Sequence, residues 1–274
     1  MTLSAFTSAG PLVLVGAGKM GGALLKGWLD RGLDPGAVVV IDPSPPPDSA
    51  AWLKSVRIAA HGSPPAVAAR VIVVAVKPQV IAEVLPTLRP LVGAGTIALS
   101  IAAGTTLKNL RTGLGDVAIV RSIPNTPAQV GRGVTVAIAN AAVDKAGRAL
   151  VGELLAAVGD VIWVDKESLI DAATAVSGSG PAYVFHMVEA LASAAVAVGF
   201  DRETAARLAR ATVVGAGELL HRSDLPADVL RQNVTSPKGT TAAALKVLMG
   251  RGGLTPLMKK AVAAARKRSR ELKS

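Results

Sequence analysis

The chain contains no cysteine, which removes disulfides, thiol nucleophiles and thiolate metal sites from its chemistry. Its three histidines, His61, His186 and His221, are too far apart to pair as ligands at helical spacing, so no metal site is expected. Aromatic residues make up 3% of the 274 positions while half the chain is hydrophobic, so the core has to be built from Ala, Val, Leu and Ile. That much apolar residue is enough for two domains with a sizeable core. The continuous apolar runs are of strand length, as from Val71 to Val76, and no basic region precedes a signal-like sequence at the amino terminus. The expectation is a cytoplasmic protein without a membrane span.

Acidic residues are also sparse, 19 against 30 basic, for a formal charge of +11. Such a charge raises nucleic acid or membrane binding, but its distribution argues against both. From Lys259 onward stand Lys259, Lys260, Arg266, Lys267, Arg268, Arg270 and Lys273 against Glu271 alone, a net +6 that leaves +5 for the rest. No basic stripe is interleaved with aromatics to stack bases. Basic side chains near the carboxyl end of a helix complement its dipole, and the expectation is a solvated terminal helix with a modest attraction for anionic ligands.

What is present begins with Leu12 to Val15, an apolar run that ends in Gly16-Ala17-Gly18-Lys19-Met20-Gly21 and passes into a helical pattern through Leu24, Leu25 and Trp28. Strand, glycine turn and helix are the context that a dinucleotide fingerprint needs. Gly16 serves the tight turn, Gly18 admits a pyrophosphate to the backbone, and Gly21 lets helix pack on strand. A second strand, Val38 to Ile41, ends in Asp42, 21 residues beyond Gly21. A carboxylate there accepts from ribose hydroxyls and disfavours a 2′-phosphate. The stiff Pro43-Ser44-Pro45-Pro46-Pro47 that follows offers Ser44 as its one polar side chain and no arginine. Asp42 is equally suited to start a turn, so the choice between NADH and NADPH stays open at this level.

Strands are expected at 12–16, 37–42, 71–76, 95–101, 117–121, 133–138 and 160–164, with helices at 20–31, 78–88 and 143–157. This alternation predicts a Rossmann-like, mostly parallel sheet covered on both faces over residues 1–165. Over 166–274 strand signals stop, and helices are expected at 167–176, 179–198, 202–221, 226–232, 239–249 and 254–271. Ligands of open parallel sheets bind beyond the carboxyl ends of the strands. The residues placed there are Val76-Lys77-Pro78, Ala102-Ala103-Gly104, and Asn125 with Thr126 between two prolines. Together they suit a nicotinamide end, although each is also ordinary turn chemistry.

In the helical part, Asn233 to Leu245 reads NVTSPKGTTAAAL. A turn here feeds Thr240 and Thr241 into a helix start whose unpartnered N–H groups can hold a small anion, with the Ser236 hydroxyl beside them. An ordinary N-cap would use the same residues.

The motifs GAGKMG at 16–21, AVKP at 75–78, SIAAG at 100–104, PNTP at 124–127, SGSGPAY at 177–183 and SPKGTT at 236–241 span nearly the whole chain. With them the chain resembles the pyrroline-5-carboxylate reductases, the last two motifs being the specific ones. The resemblance implies hydride transfer from NADPH or NADH to 1-pyrroline-5-carboxylate, giving L-proline. It implies a 6-phosphogluconate-dehydrogenase-like plan whose helical domain interlocks with a partner's in a homodimer, and assembly of such dimers into a decamer. It implies Thr241 as the catalytic partner of the substrate's ring nitrogen. The carboxylate would sit on the N–H groups of Gly239 and Thr240, with Ser236 adding its hydroxyl. Members of the family usually carry glycine where this chain has Lys238; a positive φ there would strain lysine, and without one its ammonium could add attraction for the substrate carboxylate, and the expectation is a tolerated backbone with the lysine pointing to solvent. Tyr183, His186, Glu189 and Asp171 are read as structural. A 3-hydroxyacid dehydrogenase would place a lysine on the helix 181–198, which has none. A broader imine reductase and a non-catalytic NAD(P) sensor also stay open, and neither needs the carboxylate pocket.

Overall fold

A computed structural model of the chain describes residues 10–272. The amino-terminal segment read for a signal, and Lys273 of the basic tail, lie outside the described residues.

β1 (Leu12–Val15), β4 (Val71–Val74) and β5 (Ile97–Ser100) are buried at every position. That is why they read as unbroken apolar runs: a parallel strand with helices on both faces has no solvent side. Alternate residues supply the two faces. Leu12, Leu14, Val71, Val73, Ile97 and Leu99 join one apolar cluster with Leu24, Leu25 and Trp28 of α1 (Lys19–Asp30) and Val151, Leu154 and Leu155 of α5 (Lys145–Ala156). Val13, Val15, Ile72, Val74 and Ala98 join the other, with Ile81 and Leu85 of α3 (Ile81–Thr87) and Leu110 and Leu114 of α4 (Leu107–Leu114). The one polar atom of Trp28 is satisfied by donating to Leu154 O at 2.8 Å, which ties α1 to α5.

With β2 (Val38–Ile41), β3 (Ala60–His61), β6 (Ala118–Ile123), β7 (Gly133–Ala139) and β8 (Gly159–Trp163), the sheet runs β3-β2-β1-β4-β5-β6-β7-β8. The first six strands in this order are parallel; β7 pairs antiparallel with β6, and β8 parallel with β7. The chain leaves β1 toward β2 and β3 and then returns to the other side of β1 as β4, so the topological switch lies between β1 and β4. Ligand crevices open at that position in folds of this kind.

The end of the proline cluster, which in sequence suggests a stiff connection, begins α2 (Pro47–Ser55), because proline is compatible with the first helical turn, where its missing N–H has no partner to lose. α4 is absent from the expected helices; it is eight residues long, opens on Thr106, whose hydroxyl accepts from Asn109 N at 3.1 Å, and stops at Gly115, φ 92°.

The described chain falls into two compact units, one up to Gly178 together with 266–272, the other 179–265. α6 (Ser168–Ala173) and the π-helical turn Thr174–Gly178 therefore belong with the sheet. The second unit holds α7 (Gly180–Ala197), α8 (Arg202–Arg222), α9 (Ala227–Asn233), α10 (Thr240–Leu248) and most of α11 (Leu254–Glu271). Only Pro181, Ala205 and Ala209 are buried among its described residues, whereas Phe185 is 63% and Val247 74% exposed. Lys259, Lys260, Lys267, Arg268 and Arg270 are exposed, but Arg266 is half-buried, its Nε without a hydrogen-bond partner. No described helix is long and apolar enough to cross a membrane.

Candidate active site

The turn after β1 is built for close approach. Gly16 has φ 96°, a left-handed conformation costly for a residue with a side chain, and a Cβ there would lie 2.8 Å from Ala75 O. A Cβ on Gly21 would run into the Gly16 carbonyl oxygen, so α1 can lie this close to the turn only with glycine. Gly18, the N-cap of α1, differs: a Cβ there meets nothing within 4 Å, and the space is open. The first intrahelical bond runs from Gly22 N to Gly18 O. The N–H groups of Lys19, Met20 and Gly21 thus have no acceptor inside the helix, and no side chain caps them. The geometry fits a pyrophosphate at a helix start.

Asp42 stands at the end of β2, half-buried. Its Oδ2 accepts from Ala17 N at 2.8 Å and its Oδ1 from Ser44 N at 3.0 Å. It therefore fastens the glycine turn and starts an Asx turn at once, so the two readings of this residue are compatible.

Val76, Lys77 and Pro78 follow β4; Lys77 is exposed and leads into a one-turn 3-10 helix, Pro78–Val80. Ala102 is buried after β5, Ala103 is exposed, and Gly104 has φ 79°. Asn125, after β6, accepts at Oδ1 from Val134 N at 2.9 Å and donates from Nδ2 to Ser177 O at 3.1 Å. Its amide thus holds β7 and the π turn in place, and only its remaining hydrogen and lone pair are left for a ligand. Because β2, β1, β4, β5 and β6 are parallel, all the residues expected at the dinucleotide stand along one sheet edge.

Sequence reading missed the ion cluster behind this edge. Arg121 of β6 is 2% exposed; its Nη1 donates to Glu167 Oε1 at 2.6 Å, and its Nη2 lies 3.9 Å from Asp171 Oδ1, also buried. The Glu167 oxygen accepts in addition from Leu107 N at 2.8 Å, anchoring the segment that follows Gly104. An arginine inside a strand is a signal that could have been noticed, since a buried guanidinium demands partners. Asp171 fits its structural reading; His186 and Glu189 pair 3.0 Å apart at the exposed surface of α7.

In the helical unit, α10 starts after Gly239, with its first bond from Ala243 N to Gly239 O at 3.1 Å. Thr240, Thr241 and Ala242 have N–H groups with no intrahelical acceptor and no side-chain cap. The Gly239 N–H, expected among the anion donors, instead closes the turn by donating to Ser236 O at 3.1 Å. A Cβ on Gly239 would occupy the place of the Ser236 hydroxyl. Of the two readings of Lys238, the backbone takes the positive φ, 58°, in the left-handed region, and the side chain is exposed. Lys238 is the third residue of the turn closed by Gly239 N and Ser236 O, the position at which a type II turn favours glycine.

A family model described as pyrroline-5-carboxylate reductase dimerisation matches residues 167–272, and one described as NADP oxidoreductase, coenzyme F420-dependent, matches 11–104. The pyrroline-5-carboxylate reductase of Pseudomonas aeruginosa is 38% identical over 263 residues, covering 95% of this chain and 96% of that protein. The structure of the reductase from Coxiella burnetii superposes with a TM-score of 0.90 at 36% identity, covering 97% of this chain and all of the other. That of the Plasmodium falciparum enzyme, with NADP bound, gives 0.80 at 30% identity over 96% of this chain and 98% of the other. With glycine turn, strand-end residues and SPKGTT turn placed as described and similarity running through both units, the chain belongs to the pyrroline-5-carboxylate reductase family.

Proposed function

We propose that the protein reduces 1-pyrroline-5-carboxylate to L-proline with NADPH or NADH, the last step of proline biosynthesis. The observation that carries this is the start of α10, where three successive N–H groups lack helical acceptors beside two threonine hydroxyls, a match to a substrate with one carboxylate and one ring nitrogen. The residues that would hold the dinucleotide are Gly16, Gly18, Lys19, Met20 and Gly21 at the pyrophosphate and Asp42 and Ser44 at the ribose. Val76, Lys77, Pro78, Ala102, Ala103, Gly104 and Asn125 lie toward the nicotinamide. When bound, the cofactor supplies the hydride that turns the imine carbon into a ring methylene of proline.

The protein's own task is orientation. A protonated imine already accepts hydride readily, so no strong general acid is needed. The N–H groups of Thr240, Thr241 and Ala242, at the positive end of the α10 dipole, hold the carboxylate, with the Ser236 hydroxyl at the flank. Thr241 Oγ1 donates to the neutral imine nitrogen or accepts from the iminium N–H, keeping the ring plane fixed.

The exposed apolar faces of 179–265 support a homodimer, consistent with the dimerisation family matched over that segment, and residues 166–274 are proposed as the functional dimerisation and substrate part. A decamer of such dimers is the higher assembly proposed, and the cytoplasm the place of action. The test is substrate selectivity: turnover of 1-pyrroline-5-carboxylate should exceed that of 1-pyrroline, which lacks the carboxylate, by about a hundredfold in kcat/KM, the value of a charged hydrogen-bonded contact of roughly 3 kcal/mol. Equal turnover of both would make the protein a broader imine reductase.

A further inference from the structure

The loop from β2 to α2 bears on which dinucleotide is taken. A 2′-phosphate needs backbone donors or cations around it. Pro43, Pro45, Pro46 and Pro47 have no N–H to give, and the N–H of Ser44 is already donated to Asp42 Oδ1 at 3.0 Å. The start of α2, a place where an anion is otherwise welcome, has Pro46 as N-cap, Pro47 in the first position and Asp48 in the first turn. Its remaining unpartnered backbone donors are the N–H groups of Asp48 and Ser49, beside the Asp48 carboxylate, since the first helical bond runs from Ala50 N to Pro46 O; the side-chain donors here are the Ser44 and Ser49 hydroxyls, neither of them charged. Lys54 stands in the last turn of α2, about 10 Å along the axis from Pro47 at 1.5 Å per residue, and Arg57 follows the helix; both line an open cavity with Pro45, on the side of the loop away from the Asp42 turn in sequence. Lys19, at the first position of α1, serves the pyrophosphate in this reading.

Asp42 completes the selection. An ionised carboxylate has about four acceptor sites. Two are used by Ala17 N and Ser44 N, and two remain, the number that a ribose diol fills with its 2′- and 3′-hydroxyls. A phosphate at the 2′ position would bring negative charge against this fixed carboxylate and offer no hydroxyl there.

We propose that the β2–α2 loop makes this protein select NADH over NADPH, with Asp42 as the discriminating residue and the proline cluster removing backbone donors that a 2′-phosphate would use. The inference rests on the reading of residues 16–21 as the dinucleotide turn. It is tested by equilibrium binding, following NADH and NADPH fluorescence and titration calorimetry at low salt, without substrate. Wild type should bind NADH at least about tenfold more tightly than NADPH, as expected for like charges brought together at a partly buried site. Asp42→Asn, which keeps an acceptor for Ala17 N, should reduce that ratio to about threefold or less, chiefly by tightening NADPH. Pro45→Arg adds a cation without touching the hydrogen bonds of Asp42 and should also tighten NADPH. Equal or tighter NADPH binding by wild type overturns the selection while leaving the dinucleotide turn standing. An unchanged ratio in a folded Asp42→Asn removes Asp42 as discriminator. Binding of neither nucleotide overturns the turn and the selection together.

Discussion

Arg121 Nη1 and Glu167 Oε1 meet at 2.6 Å, joining the middle of the sheet to the segment that enters α6. Because the same oxygen receives Leu107 N, this pair also fixes the start of α4 just beyond the Ala102–Gly104 turn. Arg121→Met should lower stability by about 3 kcal/mol in urea unfolding, since Asp171 and Glu167 lose their cation in a buried setting. Glu167→Gln keeps an acceptor for Leu107 N and should cost less. An Arg121→Met protein as stable as wild type would show that the cluster carries no weight.

Two glycines three positions apart should respond in opposite ways. Gly18→Ala places a methyl in open space, so the unfolding midpoint should stay within the scatter of surface changes, about 0.5 kcal/mol, while nucleotide affinity falls at least about tenfold. Gly21→Ala drives a methyl into the Gly16 carbonyl and should destabilise the sheet unit by about 1–3 kcal/mol. Paired thermal melts and nucleotide titrations distinguish the two; loss of stability in Gly18→Ala with affinity intact contradicts this assignment.

Lys238 sits at φ 58°, a conformation that glycine adopts without the cost of about 1 kcal/mol borne by a residue with a Cβ. Lys238→Gly should therefore stabilise the helical unit by up to about 1 kcal/mol, the gain being offset in part by the greater freedom of glycine in the unfolded chain. KM for the carboxylate substrate should be unchanged at high ionic strength. A KM that rises on removing the lysine at low salt only would assign its ammonium a screened attraction for the substrate.

Asp201 caps α8 through Thr204, whose hydroxyl and then N–H hold the Asp201 carboxyl below the usual carboxylate range. A depressed folded value means that the contribution is present above the ordinary carboxylate pKa and is lost as pH falls through the lowered one. Asp201→Asn retains a good cap without a titrating group, so its α8 stability should lose this part of the acid dependence, read by hydrogen exchange of the first turn between neutral and acid pH. An identical acid profile in both proteins would contradict the linkage.

The parts of the fold that were legible in sequence are those where one residue type answers one demand. Gly16 and Gly21 stand where a Cβ cannot, and the buried parallel strands had to be unbroken runs of Val, Leu and Ile. α2 was hidden because prolines read as loop although they suit a first helical turn, and α4 because eight residues carry little periodicity. The positions proposed for the site can be read from sequence as strand ends and a helix start. The hydrogen bonds there cannot: nothing in SPKGTT shows that Gly239 N would turn toward Ser236 O, nor that Asn125 would spend its amide on Val134 and Ser177. Such commitments depend on residues distant in sequence or on a single φ angle.

The most direct measurement follows one atom. The purified protein is given NADH or NADPH carrying deuterium at both nicotinamide C4 positions, together with 1-pyrroline-5-carboxylate, and the product is analysed by mass spectrometry and NMR. The account predicts L-proline with one deuterium on the carbon that was the imine carbon, formed in step with cofactor oxidation, and a lower kcat with cofactor binding retained in Thr241→Ala. Oxidation of neither cofactor by well-folded protein, or proline without deuterium, would contradict it.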